Sequence, residues 1–209
     1  MSGLKKRLLF YPIFLVCLLL AYGFHAWHKQ GRNPHAISAT GGEPFQNLPA
    51  VETPFYLQTD SRWQHDKIGG SGETLGNVGC TLCGLAMALD HYGFRKTPAE
   101  LNRLLIIQDG YTGAGLIKWD SVAVLTEGKI IVDYSSPLAF ASIDNALKLH
   151  QPVLVRIFIS NASPHWVLIV GKEGLEYLVR DPLGDGQSLD RLSNYGSDIH
   201  SLRIVKPKP

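Results

Sequence analysis

The chain has 209 residues, 45% of them hydrophobic and 18% charged, which is room for one ordinary globular domain and an appendage. Its formal charge of +2 becomes −1 once Lys5-Lys6-Arg7 is set aside, so the remainder offers no basic surface of the kind that holds nucleic acid. Three cysteines, one of them Cys17 inside an apolar run, are too few for a disulfide framework.

The basic N-terminus over 1–7 precedes an uncharged run from Leu8 to Phe24 that extends through Ala26 and Trp27. That is about the lower limit for crossing a bilayer and exceeds the roughly 7 to 15 residues of a signal-peptide core. Segment 8–27 therefore reads as a transmembrane signal anchor, with the cations cytoplasmic and everything after it periplasmic or extracellular. Small residues in Ala21-Tyr22-Gly23 leave a cleaved signal and a secreted product as the alternative.

From 28 to 53 the text turns to Gly, Pro, Asn and Ser without a helical or strand period, as in Gly31-Arg32-Asn33-Pro34 and Gly41-Gly42-Glu43-Pro44. This predicts a flexible tether, with the folded domain over 54–209. Phe55-Tyr56-Leu57 reads as a short strand or extended arm, followed by a polar, turn-rich stretch to Asn77. A helix is expected from Cys80 to about Tyr92, stopped by Gly93. Thr97-Pro98-Ala99-Glu100 is a capping box that opens a second helix to about Ile107. A third is predicted over Leu116–Thr126, a strand over Lys129–Tyr134, and a helix over Phe140–Leu149. Short β-rich runs follow at Val153–Ile159, Trp166–Val170, Glu176–Arg180 and Ser201–Val205, ahead of a frayed Lys206–Pro209 tail. Helices first and strands afterwards predict an α+β domain, its Cys80 helix packed on an antiparallel sheet.

The chemistry centres on Cys80. A cysteine opening a helix meets unpaired backbone N–H groups and the positive end of the macrodipole, both of which favour the thiolate. His165 follows Ser163-Pro164 and opens an apolar strand, a place that suits a rigidly held base. Asp181 ends the next strand, and in an antiparallel hairpin that end lies beside the start of the first. Asp181 is thus expected to hold the Nδ1–H of His165, with Asp185 as the nearest substitute. Oxyanion donors would be the Cys80 backbone N–H and a side-chain amide, either Gln58 or Gln64. Taken singly, Cys80 also fits a small buried apolar residue and Asp181 a surface turn.

The order Gln58-Thr59-Asp60-Ser61-Arg62-Trp63, Gly79-Cys80 with Leu85-Ala86-Met87 and His91-Tyr92-Gly93, Gln151-Pro152-Val153-Leu154-Val155, His165-Trp166-Val167 and Asp181-Pro182 resembles the bacteriocin-leader (double-glycine) peptidases of the papain-like cysteine proteases, in a stand-alone form. The likeness runs from about Phe55 to Leu189. It implies a papain-like fold, Cys80 as nucleophile, His165 as general base, Asp181 as orienting residue and Gln58 as the favoured oxyanion donor. It also implies a peptide or protein substrate, and export machinery as a partner beside the inner membrane; no metal or cofactor is expected, because the cysteines and histidines lack a closed zinc spacing and the catalytic scheme needs no cofactor. Two departures stand out. Cys83 makes a Cys80-x-x-Cys83 pattern that also suits thiol redox chemistry. Leader-trimming relatives act on the cytoplasmic side, fused to a transporter, whereas this domain is expected to face outward, so their substrate does not transfer.

Three functions follow. The first is a cysteine peptidase or amide hydrolase at the outer face of the cytoplasmic membrane. The second is an inactive peptidase-like domain that binds a peptide or envelope protein. The third is a thiol-disulfide exchanger using Cys80 and Cys83.

Overall fold

The structure, a computed structural model, describes residues 35–46, 48–160 and 163–209. The expected anchor over 8–27, its basic flank and the first residues of the expected tether lie outside them. Among the described residues no helix is long and apolar enough to cross a membrane.

The elements run β1 (Thr40–Phe45), α1 (Leu75–Val78), α2 (Cys80–His91), α3 (Pro98–Ile107), α4 (Ser121–Leu125), β2 (Ile130–Asp133), α5 (Phe140–Lys148), β3 (Val153–Ile159), β4 (Ser163–Arg180), β5 (Asp190–Arg191) and β6 (Ser201–Pro207). Among the described residues every α-helix precedes the run β3–β6 that makes most of the sheet, and every strand pairing is antiparallel, so the domain is α+β. The sheet order is β1-β4-β3-β6-β2, with β5 on β4.

Helix α2 is apolar on nearly every face because it lies inside the molecule. Leu82, Cys83, Leu85, Ala86, Met87, Ala88 and Leu89 are all buried, with α3 to one side and the sheet on the other. Gly84 permits that approach, since a Cβ there would sit 2.5 Å from Leu154 Cδ2 of β3. The helix ends where Gly93 takes φ 83°, a conformation open to glycine. Helix α3 starts on the expected capping box: the Thr97 hydroxyl accepts from Glu100 N–H and the Glu100 carboxylate accepts from Thr97 N–H.

Both faces of the central strands are covered, which is why β3 and β4 read as almost continuous apolar runs. Leu154, Leu168 and Val170 join the core around α2. The alternate residues Val153, Val155, Ile157, Val167 and Ile169 join a second core with Ile143 and Leu147 of α5. His165 near the start of β4 and Asp181 just past its end touch although they are 16 positions apart. An extended run of that length spans about 50 Å, so β4 doubles back on itself, with Gly174 at φ 56° near its midpoint. This is the expected hairpin of Trp166–Val170 with Glu176–Arg180.

Three expectations are corrected, the first at the tail read as frayed, where Lys206 and Pro207 of β6 pair with Ile131 and Ile130 of β2 and Lys208 N–H donates to the Lys129 carbonyl. Residues 40–45, read as tether, form strand β1 on β4. Asp144 of α5 accepts from Lys172 Nζ at 2.7 Å and from Tyr177 OH at 2.9 Å through one oxygen, and from Glu43 N–H at 2.8 Å through the other. Lys172 Nζ also donates to the Gly41 carbonyl. These side-chain anchors, not an apolar pattern, hold β1 in place. The helix expected over Leu116–Thr126 shrinks to α4. Before it, Tyr111 bridges Ile117, Thr112 N–H donates to Leu116 O and Lys118 N–H to Gly110 O, so these backbone groups are satisfied in a loop rather than a helical turn. Phe55-Tyr56-Leu57 forms an arm outside any strand.

Candidate active site

Cys80 is the first residue of α2, a helix of 12 residues. Gly79 makes the entry possible: a Cβ at that position would collide with the Leu75 carbonyl oxygen. No side chain caps the helix, so the cysteine sits against its bare N-terminal end.

His165, at the start of β4, stands close enough to Cys80 for its ring to act on the thiol. Its Nε2 lies 2.6 Å from Asp181 Oδ1, which leaves Nδ1 for the Cys80 side. The nitrogen held by Asp181 is therefore Nε2 and not the expected Nδ1, because β4 presents the ring with its far nitrogen toward the returning strand. Asp181 is fixed in turn. Its Oδ1 accepts the Leu183 N–H at 2.8 Å and its Oδ2 accepts the Tyr195 hydroxyl at 2.7 Å. Asp185, the substitute, is exposed and occupied with the N–H groups of Gln187 and Ser188.

The electrostatics follow. Burial works against an ionised thiol at Cys80, but the hydrogen bond and charge of His165, the Trp166 N–H and the Thr81 hydroxyl outweigh it and hold the thiol below its ordinary value. Burial likewise opposes an imidazolium at His165, yet hydrogen bonds and charge from Asp181 and Cys80 raise it to about 9. At Asp181 burial is overcome by His165, the Leu183 N–H and Tyr195, which keep the carboxyl below its usual range. The three groups thus favour thiolate, imidazolium and carboxylate together at neutral pH.

Gln58 is buried, with its backbone N–H on the Pro182 carbonyl at 2.9 Å and its Nε2 on the Gly76 carbonyl at 2.8 Å. It is thereby tied to the residue after Asp181 and to α1, the short helix just before Cys80. Its Oε1 is enclosed without a partner among the described residues. Gln64 is only half-buried, and its side chain makes no hydrogen bond among the described residues; its carbonyl accepts from Gly76 N–H. Cys83 is fully buried and not in a disulfide; burial, with the charge of Cys80 behind it, pushes its thiol up. Compared with protein-family models and with curated proteins, the chain matches none.

Sequence reasoning missed two contributors. Tyr195 lies in a segment without periodicity, on a 3-10 turn over Leu192–Tyr195 that ends at Gly196 with φ 60°; only that glycine signals a turn. The Trp166 N–H is a backbone group that no residue type announces.

Proposed function

We propose that this chain is a cysteine-type hydrolase of peptide or amide bonds, a papain-like peptidase working through Cys80, His165 and Asp181. The observation that carries the reading is an imidazole that acts on the Cys80 thiol and is itself gripped at 2.6 Å by a doubly held carboxylate.

In this mechanism the Cys80 thiolate attacks the carbonyl carbon of the scissile bond. The developing oxyanion accepts hydrogen bonds from the Cys80 N–H at the helix start and from Gln58 Nε2, which has a second hydrogen beyond the one given to Gly76. His165 Nδ1–H then protonates the leaving amine nitrogen as the C–N bond breaks, and a thioester remains on the sulfur. Water attacks that thioester while His165 takes its proton, releasing the acid and restoring the thiolate. Asp181 holds the ring in line through Nε2 and stabilises the imidazolium.

The likeness to bacteriocin-leader peptidases supports a peptide substrate. The apolar segment 8–27 supports placement at the outer face of the cytoplasmic membrane, with export machinery as a partner. Cys83, buried and with its thiol raised, gives the exchanger reading a poor resolving thiol. The test is cleavage of a mixed peptide library by the full chain, read by mass spectrometry. Cleavage that Cys80→Ala lowers by about 10³-fold or more supports the reading; cleavage that survives Cys80→Ala, or no cleavage at all, contradicts it.

A further inference from the structure

Trp166 links the candidate nucleophile to a second feature on the same face of the sheet. It follows His165 in β4 and its backbone N–H acts on the Cys80 thiol, so the residue itself neighbours the candidate nucleophile. Trp166 pairs with Arg156 across β4 and β3, Leu154 pairs with Arg203 across β3 and β6, and directly opposed residues share one face of a sheet. Leu154 packs toward Gly84 of α2, so this is the face that carries the Cys80 helix.

On it the Arg203 guanidinium lies 5.4 Å from the Trp119 ring centre and 5.5 Å from that of Trp166, and the two indoles are 6.1 Å apart. All three side chains are half-buried. Arg203 Nη1 donates to Ser201 Oγ at 3.0 Å and to the Leu202 carbonyl at 2.6 Å. Among the described residues its enclosed Nε has no partner and its Nη2 makes no hydrogen bond. Among the described residues no carboxylate lies within ion-pair distance of it. The charge of Arg156 is close enough to be felt at Arg203. A guanidinium gripped by two indoles, beside a second cation and with one donor edge unused, lacks the anion that such an arrangement stabilises. An unpaired buried donor is costly and calls for an acceptor.

We infer that Trp119, Trp166 and Arg203 form a specificity subsite that takes a carboxylate of the substrate, held by Nη2 on the unused edge of Arg203 close to the bond attacked by Cys80. This deepens the hydrolase reading and rests on it. The carboxylate is that of an acidic side chain or of a chain terminus, and neutral residues are disfavoured because they leave the edge unpaired.

The test uses covalent probes on the full chain. Peptidyl vinyl sulfones carrying Glu or Gln at each of three positions give a Glu/Gln ratio of Cys80 labelling rates. An epoxysuccinyl pair, free acid against amide, gives the same ratio for a terminal carboxylate. The subsite predicts a preference of about tenfold for the acidic member, at one side-chain position or in the epoxysuccinyl pair, and the series that shows it identifies the source. Arg203→Gln should bring that ratio close to one and Arg203→Lys should leave part of it. The ratio is internal to each protein, so an overall loss of reactivity does not affect it. If Arg203→Gln does not fold, the wild-type ratios and Arg203→Lys decide. Ratios near one throughout the wild type, or a ratio that Arg203→Gln leaves intact, overturn the subsite while labelling that depends on His165 leaves the hydrolase reading standing. Labelling indifferent to His165→Ala overturns both.

Discussion

The Tyr195 phenol donates to Asp181 Oδ2 at 2.7 Å, so the carboxylate facing His165 is held from its other side by a residue 14 positions further on. Asp181 is buried, and a buried carboxylate that loses a partner retains its desolvation cost. Tyr195→Phe should lower stability by about 1–3 kcal/mol, read from urea unfolding, and should slow Cys80 alkylation as well. A variant as stable and as reactive as the wild type would show that the phenol contributes nothing.

Asp144 and Lys172 form a fully enclosed ion pair that fastens β1. Removing one member leaves an uncompensated charge, which costs about 3–5 kcal/mol. Asp144→Ala is therefore expected to be severely destabilised, whereas the paired change Asp144→Leu with Lys172→Met should recover much of the loss. Thermal unfolding of the three proteins checks this, and a double variant no better than Asp144→Ala would contradict it.

The Cys80 and His165 shifts have opposite consequences for stability. His165 is raised to about 9 from an unfolded value near 6.5, so its stabilisation is complete below about 6.5 and is lost as pH rises through about 9. Cys80 is lowered from an unfolded value near 8.5, so its stabilisation is complete above that and is lost as pH falls through its folded value. Between about 6.5 and 8.5 the two slopes oppose one another, because folding merely moves a proton from sulfur to nitrogen. Cys80→Ser deletes one of them. Its Tm relative to wild type should fall steadily across that range, and a constant offset would exclude the ion pair.

Much of the site was legible because chain order carries its logic. A glycine before a cysteine at a helix start, a histidine entering a strand and an aspartate leaving the next are local patterns, and the β4 hairpin brings the last two together. What stayed illegible depends on long-range placement. Lys172 and Asp144 are 28 residues apart and no periodicity links them, so Thr40–Phe45 looked like tether. The helix expected over Leu116–Thr126 followed its apolar spacing, but Leu116 is 67% exposed and the preceding turn at Gly115, φ 76°, sets the chain on a loop path. Which imidazole nitrogen meets Asp181 is a matter of ring orientation, which spacing does not encode.

The most direct measurement is the pH dependence of iodoacetamide alkylation at Cys80 in the full chain, compared with His165→Ala. The wild type should react with a midpoint well below the ordinary thiol value of about 8.5. In His165→Ala, burial is no longer outweighed and the midpoint should move above it. Identical midpoints in the two proteins would contradict an imidazolium-stabilised thiolate and with it the catalytic account.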